Sequence, residues 1–213
     1  MNKLRFPKQG FYLVLLTGIL FITVHARLMA AEKVKVVKLS QDQGFYKAPF
    51  TLTLRTSTPD ANIRYTTNGS IPEENSGLVY SEPLTIGQTM VLRARAFKKG
   101  MAPSKIKTRT FLFPEDIIRQ SPDGLPPEGF PFAWGPNRVD YGMDQRIVND
   151  PAYRDEIIDG FKSLPAYSIV TEMKHLFDAE DGIYANARND GWEWERPASV
   201  ELLHSDKRDG FQI

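Results

Sequence analysis

Ile63-Arg64-Tyr65-Thr66-Thr67-Asn68-Gly69-Ser70-Ile71-Pro72 decides the fold of this chain. Ile63, Tyr65 and Thr67 fall on one face of a strand and Arg64 and Thr66 on the other, because side chains alternate with a period of two. β-branched and aromatic residues dominate, as a half-buried pleated surface favours. Asn68-Gly69 then supplies two residues that tolerate positive φ, the strongest short hairpin signal. Pro72 blocks continuation as a central strand. The stretch predicts a strand running into a tight turn.

The flanking residues continue the pattern. Val34, Val36 and Val37 predict a first strand ending near Leu39, and Phe50 to Leu54 alternates with Phe50, Leu52 and Leu54 inward. Leu78-Val79-Tyr80 and Leu84-Thr85-Ile86 read as short strands. Met90 to Phe97 alternates cleanly and places Arg93 and Arg95 on the wet face. Ser104 to Phe113 closes the series, with Lys105, Lys107 and Arg109 on one face. Short strands at a spacing of roughly 8–12 residues are the signature of a β-sandwich.

Four strings in this region carry a family resemblance: Phe45-x-x-x-x-Phe50, IRYTTNGSIP (63–72), GLVYSEPLTI (77–86) and LRARAFKKGMAPS (92–104). Together they resemble the chitobiase/β-hexosaminidase C-terminal-type module, which is similar to the β-sandwich domain D of family 29 glycoside hydrolases. Asn68 stands where that family often has Asp, and both suit a turn. The resemblance implies an immunoglobulin-like accessory sandwich over residues 32–114, of a kind assigned packing, spacer or glycan-binding roles. Tyr65 and Tyr80 are then candidate glycan contacts, although their in-pattern spacing favours core or edge packing.

Residues 1–31 read as an export signal. Lys3, Arg5 and Lys8 precede an uncharged run of 14 residues, Phe11 to Val24, and Ala30-Ala31 offers small residues for cleavage. The run is short against the roughly 20 residues of a membrane-spanning helix. Its loss would leave 23 basic against 26 acidic residues, a net charge of −3. Neither balance suits a nucleic-acid binder, and a membrane would be met only through the signal. There are no cysteines, which excludes disulfides, thiolate metal sites and a cysteine nucleophile. The expected location is periplasmic, cell-surface or extracellular.

Composition changes at Pro114. Residues 115–137 form a Pro- and Gly-rich linker carrying Phe130, Phe132 and Trp134. Asp150 as cap and Pro151 in the first helical position predict a helix with Tyr153, Ile157, Ile158 and Phe161 near one face. A buried strand at Ala166–Val170 follows, then a helical turn over Thr171–Phe177. Ser199–Leu203 and Phe211–Ile213 read as hairpin arms. The strings VDYGMDQRIVNDPAY, LPAYSIV, DGIYANARNDGWEWERPASVELL and GFQI resemble the opening region of CotH-kinase-like proteins over residues 138–213. The expected architecture is therefore mainly β: an immunoglobulin-like β-sandwich followed by an irregular, incomplete α+β segment.

No catalytic, cofactor or metal site emerges. Asp178, Glu180 and Asp181 break the EF-hand spacing and read as a solvated turn. His175 and His204 lack a third ligand, and no serine sits in a nucleophile elbow. The phosphate-contacting and metal-binding groups that a CotH-like kinase needs would lie beyond the hairpin. Trp192 and Trp194, flanked by Glu193 and Glu195, are further candidate glycan contacts, with alternation placing Trp inward. The function expected is a non-catalytic exported module that meets neighbouring domains and extracellular or cell-surface polysaccharide. The alternative is the N-terminal fragment of a secreted CotH-like protein kinase.

Overall fold

The structure is a computed structural model that describes residues 32–213, apart from 135, 136, 207 and 209. The export signal expected at 1–31 lies outside the described residues. The β pattern folds into short strands: β1 (Lys38–Leu39), β2 (Gly44–Phe45), β3 (Phe50–Leu52), β4 (Leu54–Arg55), β5 (Asn62–Thr66), β6 (Leu78–Val79), β7 (Leu84–Ile86), β8 (Met90–Phe97) and β9 (Lys107–Leu112). Five of these form one sheet in the order β2-β9-β8-β5-β6, antiparallel except for the β2–β9 pair. The pairs β1–β4 and β3–β7 lie against it. Between the layers, Leu52, Leu54, Ile63, Ile86, Leu92, Ala94 and Phe111 make one core. This is a β-sandwich, as the strand spacing implies.

The core follows from alternation. Ile63 and Tyr65 of β5, Leu92, Ala94 and Ala96 of β8, and Phe111 of β9 all belong to or pack on the core cluster. Ala94 and Ala96 are fully buried, and the aromatics cluster around Phe111. There Phe50 meets Tyr46 and Phe111 at centroid separations of 4.2 and 5.3 Å. Such tilted and edge-on pairs add to the gain from burial.

Several local expectations need correction. Asn68-Gly69 does not join two neighbouring strands in a tight hairpin. β5 pairs with β6 only after an 11-residue excursion, 67–77, and Asn68 Oδ1 instead accepts from the Ser70 amide within it. Pro72 is buried and Thr66 Oγ1 donates to the Ser70 carbonyl, which anchors this largely exposed excursion to the sheet. The first strand is only Lys38–Leu39, because Val34 spends its amide on the Ala102 carbonyl. The last strand starts at Lys107, because Ser104 turns back to bond Ala96 through both its amide and its hydroxyl. Arg93 is not on a wet face: it is 7% exposed and donates to the Gly69 carbonyl.

The remaining elements are α1 (Pro114–Ile117), β10 (Ala133–Trp134), β11 (Asn137–Arg138), α2 (Gln145–Val148), α3 (Arg154–Ser163), β12 (Ala166–Val170), α4 (Met173–Phe177) and β13 (Ser199–Leu203). α1 and α2 are single turns too short to show periodicity. α3 starts at Arg154 rather than at Pro151, since Asp150 Oδ1 caps a preceding turn through the Ala152 amide. Phe130 packs edge-on with Tyr141 and Phe177, whereas Phe132 is exposed. β12 and β13 pair antiparallel, and residues 211–213 add a third strand beside β13. Residues 33–213 form one compact unit.

Two substitutions test this account of the core. Phe111→Ala is expected to lose about 3–5 kcal/mol of unfolding free energy in urea titrations. Gly77→Ala should also destabilise, since Gly77 has φ +85 and a Cβ there would lie 2.9 Å from the Tyr65 carbonyl. Wild-type midpoints for both would contradict the packing described.

Candidate functional site: an apolar cavity beside a buried carboxylate

The outer face of the five-stranded sheet is polar in sequence, yet part of it is buried. Thr66, Arg93, Thr108 and Thr110 are all inaccessible there. The cover includes the three-stranded sheet of β12, β13 and residues 211–213. Its register pairs Ser168 with Glu201 and Ala166 with Leu203, and Glu201 with Gln212, so that these side chains share one face. Ser168, Glu201 and Gln212 all reach β9.

Glu201 has 0% exposure and both of its oxygens accept. Thr110 Oγ1 donates to Oε2 at 2.7 Å, and Gln212 Nε2 donates to Oε1 at 3.2 Å. Arg109 Nη1 lies 3.6 Å from Oε1, and Arg109 Nη2 lies 3.7 Å from Asp42. Gln212 bridges the groups: its oxygen accepts from Arg109 and Lys107, while its nitrogen also donates to the Thr108 carbonyl beyond the end of β2. Burial pushes the Glu201 carboxyl above its ordinary value of 4.5, against the opposing pull of Thr110 and Arg109. Burial likewise lowers Arg109 and Lys107. Desolvation therefore exceeds pairing at each group, the usual balance for a buried ion pair.

Ser168 Oγ lies 2.6 Å from Thr110 Oγ1. Because Thr110 gives its proton to Glu201, the Ser168 hydroxyl donates to Thr110, which leaves the Ser168 oxygen free to accept. Both hydroxyl-bearing residues line a cavity of about 770 Å³ between the sheet's outer face, α1, α3 and β12. Its apolar walls include Val91, Leu112, Ile117, Ile157, Phe161 and Leu203. Among the described residues, no Asp, Glu, Lys, Arg or His lines it.

The candidate glycan contacts are not brought together. Tyr65 and Tyr80 pack on the sandwich core. Trp192 and Trp194 lie in a 3-10 turn rather than in an alternating strand, so Trp192 is 85% exposed instead of inward. Arg196 stands 5.3 Å from the centre of the Trp194 ring. Asp178 accepts from the backbone of Asp181 and Glu180, which lowers its pKa and makes a solvated turn. His175 Nδ1 pairs with Thr171 Oγ1. No cluster among the described residues has the makings of a metal site.

In the sequence Ser168 stands out only as a serine without nucleophile-elbow glycines, and nothing marks Thr110; for Glu201 one signal is there, since it interrupts the apolar run Val200-Glu201-Leu202-Leu203. With the sandwich in place, its class can be stated: a small two-layer β-sandwich with a second region packed on one face. Residues 41–108 match the sequence model of the Chitobiase/beta-hexosaminidase C-terminal domain family. No curated protein matches the chain.

The shift at Glu201 predicts a pH dependence. The folded state holds the proton longer than the unfolded chain, so stability should fall as pH rises from 4.5 through the folded value, then level off. Glu201→Gln should lack this decline in unfolding free energies measured between acid and neutral pH. Parallel pH profiles for the two proteins would contradict the assignment.

Proposed function

We propose that this chain is an exported, non-catalytic accessory module that spaces neighbouring domains and contacts extracellular or cell-surface polysaccharide. The similarity of residues 41–108 to a carbohydrate-associated domain family carries the reading. The burial of Tyr65 and Tyr80 on the core gives them a packing role, so glycan contact falls to Trp192, whose ring is open to solvent. An indole presents a broad apolar face with an N–H at its edge, which suits stacking on a sugar ring. No helix among the described residues is long and apolar enough to cross a membrane. Membrane contact in this reading is limited to the export signal.

Titration of residues 32–213 against a polysaccharide panel tests the glycan part. At least one polymer should retard the protein in affinity gels, and Trp192→Ala should weaken that binding about tenfold, equivalent to ~1.4 kcal/mol. Binding to no polymer would remove glycan contact and leave the spacer role. Turnover of glycoside substrates or of ATP would contradict a non-catalytic module. For export, mass spectrometry of the secreted protein should place its N-terminus after Ala30 or Ala31, and a retained leader would contradict cleavage.

A second reading makes residues 138–213 the opening part of a CotH-like kinase domain in a longer polypeptide. One observation favours it: Tyr167, Ile169, Phe211 and Ile213 expose an apolar surface on β12 and the strand at 211–213, which further chain would cover. Coding sequence in frame after codon 213 that supplies the phosphate-contacting and metal-binding residues would support it, and a stop codon there would contradict it.

A further inference from the structure

We propose that the cavity under α3 is a binding site for an uncharged small molecule with an apolar body and a single hydrogen-bond donor, the donor resting on Ser168 Oγ. This inference stands apart from the glycan reading, which involves Trp192 and a different surface.

Size comes first. At about 770 Å³ the space falls within the range of small-molecule sites, roughly 300–1,000 Å³. Its walls come from separate elements: Val91 and Leu112 from the sheet, Ile117 from α1, Ile157 and Phe161 from α3, and Leu203 from β13. A wall of this composition rewards an apolar body, since contact removes apolar surface from water on both partners.

Charge comes second. Among the described residues none of the lining side chains carries a charge at neutral pH, so a charged ligand would lose hydration with no counter-ion in return. Glu201 stands behind Thr110, not in the wall, and would repel an anion further.

Polarity comes third: Tyr167 also borders the space, but alternation along β12 puts its side chain on the face opposite Ser168, where it is 64% exposed. Thr89 Oγ1 is engaged with the backbone of Phe113, and Thr110 Oγ1 with Glu201 and Ser168. The Ser168 hydroxyl proton goes to Thr110, so its oxygen offers lone pairs and no donor. An alcohol, phenol or secondary amine satisfies that oxygen, whereas a ligand bearing only acceptors does not. Gly160 on the α3 wall has nothing within 4 Å of where a Cβ would stand, so the space can be narrowed there without backbone strain.

Fluorescence titration of residues 32–213 tests the proposal. The probe is N-phenyl-1-naphthylamine, which is neutral and has one N–H. Its sulfonated analogue, 8-anilinonaphthalene-1-sulfonate, keeps the ring body and adds a negative charge. 1-Phenylnaphthalene keeps the body and lacks the donor. The neutral amine should bind saturably at one site, at least tenfold more tightly than the sulfonate. Gly160→Phe and, as a milder filling, Ala166→Leu should each weaken it at least tenfold while leaving the circular dichroism spectrum unchanged. Ser168→Ala should weaken the amine several-fold and leave 1-phenylnaphthalene unaffected. Absence of saturable binding, equal affinity for the sulfonate, or wild-type affinity in whichever filling variant folds would overturn the site. An equal effect of Ser168→Ala on both neutral probes would overturn the donor contact.

Discussion

A carboxylate with no exposed surface must be given donors by the fold, and Glu201 receives them from two directions. Thr110 belongs to the sandwich and Gln212 to the last strand of the second region. Neither region satisfies Glu201 alone. Arg109 and Lys107 converge on the Gln212 oxygen, so cations from β9 and acceptors from the second region are oriented by one amide. Removing water from such groups is costly unless every partner is in place. The polar contacts therefore specify how the second region sits on the sheet, while Leu203 and the walls of the cavity supply apolar contact.

This arrangement changes what the outer face of the sandwich is for. A small sandwich commonly leaves one polar face to water. Here Thr108 and Thr110 lie beneath the cover, and the 67–77 excursion takes up Thr66 and Arg93. The turn at Asn68-Gly69 takes part as well. The Gly69 carbonyl accepts from Arg93, and Gly69 lies close to Val170 and Thr171 at the end of β12. The cover does not follow the sheet everywhere, and where α3 stands away from Val91 and Leu112 the cavity remains.

Much of the sandwich was legible in the sequence because its signals are local. Alternation in β5 and β8 gave the core face correctly for Ile63, Leu92 and Ala94. The pairing of Ser199–Leu203 with Phe211–Ile213 was legible for the same reason. Alternation says only which residues share a face, so it could not tell that Arg93 faces protein and not water. Asn68-Gly69 misled because a residue pair suited to positive φ reports a turn, not which strands flank it. Trp192 misled because three residues cannot distinguish a strand from a 3-10 turn. The cluster at Glu201 joins residues about 90 positions apart, Thr110 and Glu201, and no local pattern encodes such a meeting. The family similarity ends at residue 108, before Thr110, so it does not reach the cluster either.

The central claim is that the sandwich and the region covering it depend on each other through the groups around Glu201. All three tryptophans, at 134, 192 and 194, follow the sandwich in the sequence, so their fluorescence is a signal of the second region. Pulse-labelling hydrogen exchange at the β5 and β8 amides reports on the sandwich strands. Urea unfolding of residues 32–213 followed by both signals is the most direct test. Mutual dependence predicts a single transition with one midpoint and one slope. Loss of the fluorescence signal at lower urea, with the strand signal intact, would show that the cover leaves an independently stable sandwich, and would contradict the account.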